Sequence, residues 1–69
     1  MQNFTLENSE YIELNKLLKV LNLVETGGEA NICIDNAEVR LNGVVETQRR
    51  KKIRTGDIVQ FRKEKIQVN

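Results

Sequence analysis

The chain has no histidine, no proline and no tryptophan, and its only cysteine is Cys33. Without histidine it lacks the commonest general base and the commonest metal ligand. A single cysteine excludes an intrachain disulfide and a zinc–thiolate cluster. Cys33 fits a reducing compartment and reads as a small apolar core residue. Aromatic residues make up 4% of the chain, which largely rules out stacking platforms for bases or sugars. No apolar run approaches the roughly 20 residues of a membrane span. Met1-Gln2-Asn3-Phe4 carries no basic leader segment. These absences set the first expectations: a cytoplasmic protein with no membrane partner, no metal, no cofactor and no small-molecule substrate.

What remains is 69 residues, 39% apolar and 30% charged. That is enough apolar material for one small core, so the reading is a single domain over residues 1–69. At this size folding buries only about 60% of the unfolded surface, and a deep cleft is hard to build.

The net charge of +1 conceals a sharp asymmetry. Residues 1–46 carry three cations against eight carboxylates, whereas residues 47–69 carry eight cations against two. A positive pole attracts polyanions whatever the net charge. The acidic half argues against blanket coating of nucleic acid and for one oriented face.

Phe4-Thr5-Leu6 alternates as a short strand would, and Asn8-Ser9 offers helix caps. Tyr11, Leu14, Leu17, Leu18 and Leu21 recur in steps of three and four, which predicts an amphipathic helix from Glu10 to Val24. Glu10 and Glu13 would then face the positive end of its dipole. Thr26 followed three residues later by Glu29 is a capping box, and Gly27-Gly28 reads as a tight turn between helices. Ala30, Cys33, Ile34 and Ala37 give a second, shorter helix ending near Asn36-Ala37. Val39-Arg40-Leu41 alternates, and Asn42-Gly43 is the preferred pair for a two-residue hairpin turn into Val44-Val45. Arg54-Thr55-Gly56-Asp57 reads as a turn, Ile58–Phe61 as a strand, Arg62-Lys63-Glu64-Lys65 as a hairpin loop and Ile66-Gln67-Val68 as the closing strand. The fold class is α+β, a helical hairpin packed on a small, mostly antiparallel sheet. Its expected core is Leu14, Leu17, Leu18, Leu21, Ala30, Cys33, Ile34, Val39, Leu41, Val59 and Phe61.

Enzyme signatures are weak. No phosphate-binding glycine loop ending in Lys-Ser or Lys-Thr is present, and Ser9 has no activating base. The amides at Gly27-Gly28 face an anion less well than a structural role, because the capping box uses them and Glu29 repels anions. The informative segment is Thr47–Arg54, in which Arg49, Arg50, Lys51, Lys52 and Arg54 place five cations within six residues. Arg offers forked donors to phosphate and Lys a mobile point charge. With few aromatics, contacts would go to backbone and shape. If the segment is extended, Arg50, Lys52 and Arg54 share one side. Arg49 and Lys51 share the side of Ile53, so they must reach the rim or be re-aimed by a loop or bulge.

Leu17-Leu18, Gly27-Gly28-Glu29-Ala30, Glu38–Gly43 and Gly56-Asp57-Ile58-Val59 together resemble the RNA-binding domain named after ribosomal protein S-four, the alpha-L motif. That family shows a helical hairpin, a strand ending in Val-x-Val-Asn-Gly and a later Gly-Asp turn. Val45-Glu46-Thr47 with the basic run is similar to its short, free-standing bacterial members, the YbcJ/YaaA-like proteins. The resemblance spans about Tyr11 to Phe61. It implies binding of structured, ribosomal or ribosome-associated RNA by a bacterial cytoplasmic monomer that is not an enzyme. By position, Gly27, Gly28 and the start of helix two, with Asn31, belong to the implied surface, together with Arg49, Arg50, Lys51, Lys52 and Arg54. The family often places basic residues along helix two, where this chain has Asn31, Ile32 and Asp35. The load therefore shifts to the 49–54 run, joined by Lys16 and Arg40. The alternatives are a protein-interaction adaptor using the acidic helical half and a DNA-associated accessory factor using the same basic pole. A sulfur carrier of the β-grasp type would need a terminal Gly-Gly, where this chain has Gln67-Val68-Asn69.

Overall fold

Both expected helices form, but the first is far shorter than its apolar spacing predicts. In the computed structural model, which describes residues 1–69, α1 spans only Leu14–Val20. The preceding residues are drawn into a ribbon instead. β2 (Ile12–Glu13) pairs antiparallel with β5 (Lys52–Ile53), Ile12 opposite Ile53 and Glu13 opposite Lys52. Glu13 is consequently the extended N-cap residue of α1, without a side-chain cap, and Glu10 lies outside the helix. Neither carboxylate sits in the first turn as the helical spacing suggested.

α2 runs Gly27–Asp35. The capping box forms at its start: Glu29 N–H donates to Thr26 Oγ1 at 3.0 Å. Glu29 Oε1 reaches back one residue further than the cap, accepting from Glu25 N–H at 3.0 Å. Gly27 and Gly28 are the first two residues of this helix, not a turn before it.

Both helices end alike. After α1, Asn22 takes a left-handed φ of 58°, Leu23 N–H donates to the Leu18 carbonyl and Asn22 N–H to that of Lys19. After α2, Ala37 takes φ 61°, Glu38 N–H donates to Cys33 and Ala37 N–H to Ile34. These are paired six-to-one and five-to-two closures that satisfy otherwise free carbonyls. Ala37 is therefore exposed, not the last apolar step of the α2 face.

The main sheet has the order β1-β7-β6-β3-β4. β1 (Gln2–Phe4) lies parallel to β7 (Glu64–Val68), and β7, β6 (Ile58–Phe61), β3 (Val39–Leu41) and β4 (Val44–Val45) run antiparallel in turn. The first strand sits two residues earlier than its alternation implied, although Asn69 still bonds to the Phe4 carbonyl and accepts from Leu6 N–H. Asn42-Gly43 turns β3 into β4 with φ of 52° and 86°, both positive as a two-residue hairpin requires. The β6–β7 turn is only Arg62-Lys63, since Glu64 and Lys65 pair with Phe61 and Gln60.

One cluster of 13 buried residues unites the layers. It contains Leu14, Leu17, Leu18, Ala30, Cys33, Ile34, Val39, Val59 and Phe61 as expected, and adds Val24, Ile53, Ile66 and Val68. Leu21 and Leu41 are only half-buried against it, at a helix end and near the sheet edge.

Candidate nucleic-acid interface

The basic segment is shaped by backbone contacts to the start of α1. Leu14 N–H donates to the Lys51 carbonyl at 2.9 Å and Asn15 N–H to the Arg49 carbonyl at 3.0 Å. These amides have no partner within their own helix. Supplying them with carbonyls fixes the run and spends its backbone acceptors inward. Arg49-Arg50 forms a turn, Lys52-Ile53 forms β5, and Ile53 is fully buried. A turn thus re-aims Arg49 away from the core side. Arg50, Lys52 and Arg54 are exposed and Lys51 is half-buried.

Beyond β5 the chain is locked again. Arg54 N–H donates to Asp57 Oδ2 at 2.8 Å, and Asp57 N–H returns to the Arg54 carbonyl at 3.0 Å. Asn42 Nδ2 donates to Asp57 Oδ1 at 3.1 Å, and Asn42 Oδ1 accepts from Ile58 N–H at 2.9 Å. The Asn-Gly and Gly-Asp turns therefore brace one another, and Asp57 is occupied with backbone and amide donors.

The five cations do not behave alike. Arg49 makes a forked ion pair with Asp35 of α2, its Nε at 3.0 Å and Nη2 at 2.6 Å from the carboxylate oxygens. The hydrogen bonds from Arg49 hold the Asp35 carboxyl below its ordinary range, and the same bonds push Arg49 higher. Arg49 is thereby committed to the protein itself. Lys52 and Arg54 instead meet over an aromatic ring: Lys52 Nζ lies 5.0 Å and Arg54 Cζ 5.6 Å from the centroid of Tyr11. Both distances are within reach of cation–π attraction. Tyr11 was read as an apolar position of helix one. The structure leaves it 38% exposed, just before β2. The signal for this was the β-favouring Tyr11-Ile12 pair at the supposed helix start.

The helix residues join the site by another route. Asn31 Oδ1 accepts from Asn15 Nδ2 at 3.1 Å. Gly27, Asn31 and Asp35 are spaced four apart on α2 and share one face, so the structure links Asn31 and Asp35 to α1 and to the Arg49 turn. Gly27 leads that face with Gly28 next to it, and a Cβ would meet nothing within 4 Å at Gly27 and only Thr26 Oγ1 at 3.8 Å at Gly28. The fold itself does not demand glycine there. Lys16 is exposed and pairs with Glu13 at 3.4 Å. Arg40 is not tied to this group. It lies on β3 opposite Gln60 and Val45, and its Nη1 donates to the Gly43 carbonyl at 3.4 Å.

Burial, chiefly, pushes the Cys33 thiol up from its ordinary value, which leaves it a poor nucleophile. No three His, Cys, Asp or Glu side chains converge as a metal site requires. No helix is long and apolar enough to cross a membrane.

Comparison with known proteins gives this arrangement a lineage. The chain is 38% identical over 68 residues to YbcJ of Escherichia coli (strain K12), across 99% of this chain and 97% of that one. YbcJ of Shigella flexneri aligns to the same extent. The fold matches the solution structure of YbcJ from E. coli with a TM-score of 0.75 and 38% identity, covering 99% of this chain and 86% of that one. That structure is described as revealing an alpha-L motif involved in RNA binding. With residues 4–69 also matching the S4 domain, this chain belongs to the S4 domain family.

Proposed function

We propose that this chain is an RNA-binding module, not an enzyme, and that it grips structured RNA by phosphate contacts from Arg50, Lys52 and Arg54. The observation that carries the reading is the fastening of the basic run. Its carbonyls bond to the amides of Leu14 and Asn15, while Arg50, Lys52 and Arg54 stay exposed. Cations held on a rigid ribbon lose less freedom on meeting a phosphate backbone than cations on a mobile loop. The membership in the S4 domain family and the motif described for YbcJ support RNA as the polyanion. Lys51 and Lys16 flank this patch, and Gly27, Gly28 and Asn31 offer a close approach along α2. Arg49 contributes through Asp35, and Arg40 extends the field from the sheet. Ribosomal or ribosome-associated RNA, a monomeric state and a cytoplasmic setting complete the reading.

Changing Arg50, Lys52 and Arg54 together to Gln leaves Ile53 in place, so the fold survives. RNA affinity should fall for all sequences alike. The slope of log K against log salt should flatten by about 2 units, at roughly 0.7 per phosphate lost. Glu7→Gln with Glu64→Gln should leave binding unchanged or slightly stronger. Affinity indifferent to the triple change, at matched stability, would overturn the phosphate reading and favour a protein adaptor. Equal affinity for duplex DNA would favour the DNA-associated reading.

A further inference from the structure

Tyr11 is the one tyrosine of the chain, and it is exposed where the other aromatics are not: Phe61 is buried and Phe4 half-buried. Two cations lie over its ring, Lys52 at 5.0 Å and Arg54 at 5.6 Å from the centroid. Tyr11 also lines a shallow groove of about 460 Å³, together with Ser9, Glu10, Ile12, Glu13 and Lys16. Phosphates are drawn to Lys52 and Arg54, and in the groove the carboxylate of Glu10 repels them while that of Glu13 is paired with Lys16 at 3.4 Å. The same carboxylates accept hydrogen bonds from the amino and imino hydrogens of a base. A ring that holds two cations and also lines a polar groove matches one nucleotide unit, with its phosphate on the cations and its base on the ring.

We infer that Tyr11 is a stacking platform for a single unpaired nucleobase, seated in the groove beside it while Lys52 and Arg54 hold the adjoining phosphates. The inference rests on the RNA reading and narrows the ligand to RNA with a bulged or looped-out nucleotide. The position of Tyr11 favours this over a purely internal role. A tyrosine needed only to brace two cations has no need to line a groove as well, as the exposed Tyr11 does.

The test uses three hairpin RNAs of equal phosphate number: one with a single bulged adenosine, one with an abasic residue at the bulge, and one fully paired. Since the chain has one tyrosine and no tryptophan, its intrinsic fluorescence reports on Tyr11 alone. The bulged hairpin should quench that emission and bind at least about fivefold more tightly than the other two, the scale of one stacked base. Tyr11→Leu should bring the three affinities together, and Tyr11→Phe should keep the preference. Equal affinities of the unaltered chain for all three RNAs would overturn the platform. So would a uniform weakening in Tyr11→Leu with the preference intact, which would make Tyr11 a brace for Lys52 and Arg54. Failure of the RNA reading looks different: none of the three hairpins binds at low salt.

Discussion

The Asn42-Gly43 hairpin and the Thr47–Arg54 segment reach order by opposite means. In the hairpin, two residues suited to positive φ make the turn, and the Asn42 side chain then spans to Asp57 and Ile58. The information is local and written in residue type. The basic segment has almost no internal order: Lys51 N–H bonds to the Gln48 carbonyl and Gln48 N–H to Glu46 Oε2. Its shape comes from distant partners, namely Leu14, Asn15, Ile12 and Asp35. A local turn tolerates distant change, whereas the basic segment depends on α1 beginning where it does.

The strongest way to break this contrast is at Ile53, which pins the ribbon to the core and is fully buried. Ile53→Ala should cost roughly 2–5 kcal/mol, the usual range for truncating a buried aliphatic side chain. Chemical denaturation gives the value. Amide exchange should show Leu14 and Asn15 losing protection together with Lys52, while Asn42 and Ile58 keep theirs until global unfolding. A loss shared equally by both regions would show that the ribbon and the hairpin are one cooperative unit.

This division also explains what the sequence could disclose. Asn42-Gly43, Thr26 with Glu29, and the closing of α2 near Asn36 were legible because each depends on neighbours a few residues away. The start of α1 was not. Tyr11, Leu14, Leu17 and Leu18 fit a helical period, yet Ile12 and Glu13 bond to a strand forty residues on. Nonlocal pairing overrode local period. The basic run was legible as a patch, because charge clustering is compositional. Its internal division was not, since only the fold brings Asp35 to Arg49 and Tyr11 to Lys52.

The second prediction concerns Ala37, where chain and conformation disagree. Ala37 holds φ 61° at the close of α2, whereas Asn22 serves the equivalent place after α1. A left-handed backbone costs an ordinary L-residue about 1–2 kcal/mol, and glycine avoids the clash. Ala37→Gly should therefore stabilise the protein by about 1 kcal/mol by thermal or denaturant melts. Ala37 is exposed and outside the proposed interface, so RNA affinity should not change. A destabilised variant would mean that flexibility gained by the unfolded chain outweighs the relieved strain.

A smaller effect is expected at Gly27, where a side chain has open space and the φ is not left-handed. Gly27→Ala should stabilise α2 by about 0.4–1 kcal/mol, mainly by restricting the unfolded chain. RNA affinity decides why glycine stands there. Weaker binding by a more stable variant would indicate that RNA backbone approaches the bare start of α2. Unchanged binding would remove Gly27 from the interface.

The smallest effect sharpens the distinction among the five cations. Arg49 lowers the Asp35 carboxyl from its ordinary value, chiefly through its hydrogen bonds; partial desolvation opposes the shift, and the Arg49 charge adds a smaller lowering. A carboxyl that is more acidic folded than unfolded binds fewer protons in the folded state. Its contribution is present above the unfolded value, about 3.9 for aspartate, and is lost as pH falls through the lower folded value. Because both side chains are exposed, the consequence for stability near neutral pH should be too small to detect. The titration itself remains visible. Arg49→Gln should return the Asp35 carboxyl toward its ordinary range in an NMR pH series. The same variant should change the salt dependence of RNA binding less than Lys52→Gln does, because Arg49 already has an anion. If Arg49→Gln instead flattens the slope as much as Lys52→Gln, Arg49 leaves Asp35 when RNA arrives. The ion pair would then be a latch on the fifth cation, and Asp35→Asn should strengthen binding by releasing it.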